Sequence, residues 1–219
     1  MKNILLPAAF ALVLGCAAHT NLAPVGRGNI DANVSVGGPI VKAFGARIPV
    51  PYLTAGLDYG LGERMNIGGS FHLLSLAYQV IGVDFGAAFF PIAAEGARPT
   101  VGVQPRVMML CSTKPDVESR FRLYPGLSAS TAWAVRSGLL YIGSDVTFRF
   151  SSLTYDKEAS SLILSPFVGY QWRIGHRTSL LTECKWHGAN FSSDMVTVDY
   201  LPVSGHGALS TLFSIVRSF

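Results

Sequence analysis

Charge is scarce in this chain: Asp, Glu, Lys and Arg make up 14% of its 219 residues, against about 25% in an ordinary soluble domain. Hydrophobic residues reach 49%, and the mean hydropathy is +0.37. That balance points to a membrane. A second lack narrows how the membrane is met. Beyond Cys16 there is no uncharged apolar run of roughly 18 residues, so no spanning helix is evident. Strands that alternate lipid-facing and lumen-facing side chains are the other way to satisfy every backbone group in a bilayer, provided that they close into a barrel.

Other absences exclude chemistry. Metal-ligand spacing, a phosphate-binding glycine loop and a nucleophile elbow are all missing, so neither a metal nor a cofactor is expected. Only three cysteines occur. Cys111 and Cys184 fall on segments that should not be neighbours, which argues against a disulfide, and both have outward parity, where a small apolar side chain suits. The pI is near 9.1, but the basic residues are dispersed, and the export signal described next argues against a nucleic-acid partner.

The first residues, MKNILLPAAFALVLGC, read as an export signal: Lys2, an apolar run from Ile4 to Leu14, then Gly15. Val13-Leu14-Gly15-Cys16 resembles the bacterial lipobox. That resemblance implies cleavage after residue 15 and a lipidated Cys16 as the first mature residue. Ala17 rather than Asp follows Cys16, which in lipoproteins favours the outer membrane. The expected organisation is a signal peptide over 1–15, a lipidated polar linker over 16–28 and a barrel over 29–219.

From residue 29 the chain divides into about ten alternating segments, near 29–37, 52–60, 65–73, 78–90, 100–111, 121–135, 139–150, 162–173, 178–188 and 207–219. Most have the length that a tilted strand needs to cross a bilayer. Tight turns at Gly62-Glu63-Arg64, Arg136-Ser137-Gly138 and Gly175-His176-Arg177 alternate with longer connections at 38–51, 112–120, 151–161 and 189–206. The predicted fold class is all-β: a closed antiparallel transmembrane barrel of about ten strands. An eight-stranded barrel is the nearest architectural competitor, and a soluble periplasmic β-sandwich lipoprotein is the competing class.

Outward parity is apolar along most segments, as in Ile81/Val83/Phe85/Ala87/Phe89. Its aromatics sort by strand end. Tyr59, Phe89, Trp133, Trp172 and Phe219 fall near the periplasmic interface, and Phe71, Phe121, Phe150 and Trp186 near the other. The final ALSTLFSIVRSF resembles the C-terminal strand of bacterial outer-membrane β-barrel proteins, in which a terminal aromatic is read by the assembly machinery. The resemblance covers nearly the whole mature chain and implies an outer-membrane location. Phe219 would be the assembly signal, and the partners would be that machinery, outer-membrane lipid and lipopolysaccharide.

Inward parity carries the polar residues. Asp58, Asp84, Arg106, Arg122, Asp145, Arg149, Arg173, Glu183 and Lys185 form the predicted lumen network, because buried charges need partners. Reflection about Glu95 sets Asp84 opposite Arg106. Reflection about Ser137 sets Asp145 opposite Ser128 and Arg149 opposite Tyr124. The enzymatic alternative is a protease or a lipid A-modifying hydrolase with a rim site at His72 and His187, although the local acid–His pattern of omptin proteases is missing. The loop GPIVKAFGARIPVP, with Lys42, Phe44 and Arg47, is a candidate lid or lipid contact; folding into the barrel mouth and extending the strands beyond the membrane are the alternatives. The expected role is structural, binding or small-solute, with a largely occluded polar lumen.

Overall fold

The computed structural model describes residues 20–43, 46–49, 52–94, 98–114, 121–136, 138–149, 162–193 and 200–219. Apolar–polar alternation becomes eleven strands: β1 (Ile30–Ala43), β2 (Ala46–Pro49), β3 (Tyr52–Gly62), β4 (Met65–His72), β5 (Val80–Ile92), β6 (Thr100–Ser112), β7 (Phe121–Val135), β8 (Gly138–Phe148), β9 (Leu162–Arg173), β10 (Thr178–Ser192) and β11 (His206–Ser218). β2 pairs with β1 alone, and β11 pairs back onto β1 from Asp31↔Ser218 to Pro39↔Ser210. The barrel is therefore closed, antiparallel and ten-stranded. The ring runs β1, β3, β4 and onward to β11. Eight strands are too few, and closure also removes the sandwich, which would have free edges.

The two faces of the wall are inverted relative to a soluble domain. Leu57, Phe85 and Ile215 are each more than half exposed, while Ser35, Thr54, Asn66 and Asp145 are buried. Such an apolar exterior suits lipid, and the polar interior must satisfy itself. Cys111 and Cys184 are free thiols on partly and fully exposed positions, in keeping with their outward parity.

Both ends of the barrel return to one rim, where the Phe219 N–H donates to the Ile30 carbonyl. The short connections share that rim. On the opposite rim a 3-10 turn over Leu74–Tyr78 links β4 to β5. Within the 38–51 segment, residues 40–43 and 46–49 pair as the two arms of a hairpin, with Ile40 facing Pro49 and Lys42 facing Arg47. Ala46–Pro49 is exposed throughout, so this hairpin extends the strands and does not fill the mouth. Cys16, Phe44 and Phe150 lie outside the described residues.

Register corrects one expectation. Ser128 does face Asp145, but Asp84 faces Met108, and Arg106 faces Gly86 on one side and Gly126 on the other. Beyond a bulge between Phe89 and Ile92, which shifts the ladder by one residue, β5 and β6 reflect about a point one residue past Glu95. A shift of two positions preserves parity while changing every cross-strand partner.

Candidate functional site: the lumen

Arg106 has glycine on both flanks. A Cβ at Gly86 would lie 3.2 Å from the Arg106 Cβ, and one at Gly126 would lie 3.7 Å from its Nε. With those side chains missing, the guanidinium leans across β7 to the next strand but one. Its Nη2 lies 2.8 Å from Asp145 Oδ2 on β8. Lys185 approaches the same carboxylate from the other side. Its Nζ crosses β9 above the Phe167 ring, 4.9 Å from the centroid, and ends 2.8 Å from Asp145 Oδ2. Lys185 also lies 3.0 Å from Glu183 Oε1. Glu183 Oε2 accepts from the Tyr141 hydroxyl at 3.2 Å. The Tyr141 ring passes over Gly169 on the intervening strand, where no Cβ would fit.

Gly169 on β9 thus lets Tyr141 meet Glu183 across it, while Lys185 crosses the same strand over Phe167. The result is an ion chain through β6, β8 and β10, with Asp145 shared by two cations. Charge-assisted contacts of this geometry are what make buried ions tolerable.

The opposite wall is built differently. Asp58 on β3 accepts from the Asn33 amide at 3.0 Å and from Asn21 at 2.9 Å. Asp84 on β5 is bonded to the His72 imidazole and accepts from the Ser70 hydroxyl at 3.4 Å. The Tyr52 hydroxyl lies 3.2 Å from that imidazole, which is 1% exposed. A small cavity lined by Asn33, Asp58, Ser70, Asp84, Gln104 and Arg106 lies along this wall.

The sequence-predicted residues therefore separate into groups. Arg106, Asp145, Glu183 and Lys185 come together, Asp84 joins His72 instead of Arg106, and Asp58 is held by amides. Arg122 and Arg149 have partners, but they stand toward the far rim, outside the ion chain. Arg173 is exposed at the near end of β9, also outside it. His72 and His187 do not form a rim pair: among the described contacts His72 touches Tyr52, Ser70's partner Asp84 and the turn at Ser75, and its ring is enclosed. Lys42 and Arg47 face each other on the protruding hairpin. Phe219 is exposed at the near rim, with the Arg217 guanidinium 5.6 Å above its ring.

The segment from Thr20 to Gly28 is not the free polar linker expected: it runs from the near rim into the barrel. Thr20, Asn21 and Leu22 are buried. The Thr20 hydroxyl donates to Glu183 Oε2 at 3.1 Å, and Leu22 packs with Ala132, Tyr141, Phe167 and Leu181. Asn66 clamps the backbone, accepting from the Val25 N–H at 3.0 Å and donating to the Ala23 carbonyl at 3.2 Å. The turn that sends the segment inward uses Gly26 and Gly28 at φ +89° and +80°, where a Cβ would be strained. The available signal was this Gly-x-Gly spacing just before the first strand.

No protein-family model and no curated protein matches the sequence. Among solved structures, the chain is similar to an outer-membrane channel from Pseudomonas putida F1, with a TM-score of 0.50 and 11% identity over 93% of this chain and 100% of that one. The fold is that of an outer-membrane β-barrel. Weaker likenesses are to the outer-membrane protease OmpT from Escherichia coli (TM-score 0.45, 10% identity, 92% of this chain and 99% of that one) and to the NanC porin (0.47, 7%, 86% and 98%).

Proposed function

We propose that the protein is an outer-membrane lipoprotein whose barrel has a closed, polar resting lumen and a structural, binding or small-solute role. The observation that carries this reading is the Arg106–Asp145–Lys185–Glu183 chain, which occupies the lumen with long, mutually paired side chains. A ten-stranded barrel is only modestly wider than an eight-stranded one, and at eight strands side chains already fill the interior. The lipobox-like ending supports Cys16 as the anchor, and the exposed terminal aromatic supports Phe219 as the feature read during assembly. The basic pair Lys42 and Arg47, on a hairpin beyond the membrane, suits the phosphates of lipopolysaccharide. Reconstitution into planar bilayers tests the lumen: the wild type should conduct poorly and without stable large openings. A large, stable conductance would make the lumen a permanent pore and end this reading. Labelling with a fatty-acid analogue tests the anchor separately; equal labelling of Cys16→Ser would remove it.

A further inference from the structure

The geometry points to residues 20–28 as a tethered plug, seated in a lumen groove built to take a short extended peptide. This rests on the closed-lumen reading above and adds what closes it. The segment enters at the near rim, where Gly28 N–H donates to the Gly60 carbonyl. It then rises along the lumen, past Asn66 to Asp58 and Glu183. Its contacts reach opposite sides of the ring. Asn21 bonds β3, whereas Leu22 joins a buried cluster drawn from β7, β8, β9 and β10, and in a ring of ten strands β3 and β8 stand diametrically opposed. A segment that touches both ends of a diameter obstructs the opening between them.

The groove recognises each chemical feature of the segment. Carboxylates at Asp58 and Glu183 meet its amide and hydroxyl donors, an apolar pocket takes Leu22, and the Asn66 side chain reads one backbone donor and one backbone acceptor. Gly60 leaves the space through which the turn passes, since a Cβ there would fall on the Gly26 carbonyl oxygen. The contacts are hydrogen bonds and one apolar side chain, with no ion pair among those described. Such a segment can leave without stranding a charge of its own. The groove it vacates suits another short peptide with polar donors around one apolar residue.

Planar-bilayer recordings on the full chain and on a deletion of residues 20–25 test this. The folded state of each is checked by heat-modifiable mobility. The deletion should raise conductance several-fold over the wild type, and Gly60→Ala should raise it by less. The synthetic peptide TNLAPVGRG, added on the side of the short turns, should then block the deleted barrel. The same peptide carrying Leu22→Asp should not. A folded deletion that conducts no better than the wild type overturns the plug while leaving the closed lumen intact. An open wild type overturns the closed lumen itself. Should the deletion fail to fold, unchanged conductance in Gly60→Ala, whose wall retains every other side chain, overturns the plug.

Discussion

The two walls of the lumen hold their acids in different ways. Along β6–β10, Asp145 and Glu183 are answered by cations, Arg106 and Lys185, anchored in the wall. Along β3–β5, Asp58 and Asp84 are answered by amides, a hydroxyl and an imidazole, and one of those amides belongs to the plug. On the first wall the acids are paired with cations of the wall itself, the plug adding only the Thr20 hydroxyl at Glu183, and losing the shared Asp145 leaves Arg106 buried without its counterpart. On the second, the Asn33, Asn21 and Ser70 donors are uncharged, and each can exchange with water or with a solute at the cost of one hydrogen bond. One side of the lumen is a fixed frame and the other an adjustable face.

The largest effect expected from this difference is at the shared carboxylate. Asp145→Ala leaves two cations buried beside each other and should destabilise the barrel by about 3–5 kcal/mol, the range for breaking one partner of a buried pair. Urea midpoints of heat-modifiable mobility would measure it. Asp84→Ala removes a hydrogen-bond acceptor from His72 and Ser70 and should cost less, about 1–3 kcal/mol, with Asp84→Asn recovering part of it. If the Asp84 change proved the more damaging, the contrast between the walls would be wrong.

Strand positions, parity and the short-turn rim were legible in the sequence because each rests on local alternation. Register was not. Arg106 and Asp84 have the right parity and opposite charge, yet a bulge near Phe89 and the centre of one turn decide whether they meet. Glycine mattered in a way that spacing alone conceals: a Cβ at Gly169 on β9 would fall on the Tyr141 ring that reaches Glu183 across it. The plug was hidden by a rule that reverses inside this fold. A stretch such as Thr20-Asn21 before Pro24, Gly26 and Gly28 reads as a solvated linker when interiors are apolar. A polar lumen offers the same residues carboxylates and amides to bind, so polarity no longer marks the outside.

The plug's own contacts should give a smaller energetic effect and a sharper functional one. Asp58 is held by Asn33 from the wall and Asn21 from the plug, at 3.0 and 2.9 Å. Either change to Ala should cost about 0.5–1.5 kcal/mol, the net worth of one hydrogen bond. Conductance separates them: Asn21→Ala should lengthen open intervals, whereas Asn33→Ala leaves the plug's own donor in place and should change them less. Equal open times would mean that the two amides act alike and that the second wall has no movable part.

The smallest expected effect concerns the anchor, through simple reach. Cys16 precedes Thr20 by four residues, which span at most about 14 Å when fully extended. Glu183, the partner of Thr20, lies five positions into β10 from Thr178, roughly 17 Å along the strand and about 12–14 Å above the rim for a tilted stave. The greatest span from Thr20 to Cys16 is therefore about equal to the height of Glu183 above the rim. If Cys16 is acylated as proposed, its acyl chain pulls against the Thr20–Glu183 bond, a single hydrogen bond worth about 1 kcal/mol. Cys16→Ser, which cannot be acylated, should seat the plug more deeply. Its barrel should show fewer openings than the lipidated protein in the same bilayer, with an unfolding midpoint equal or slightly higher. More openings in the unacylated protein would mean that the anchor holds the plug in place, with the tether working in the opposite sense.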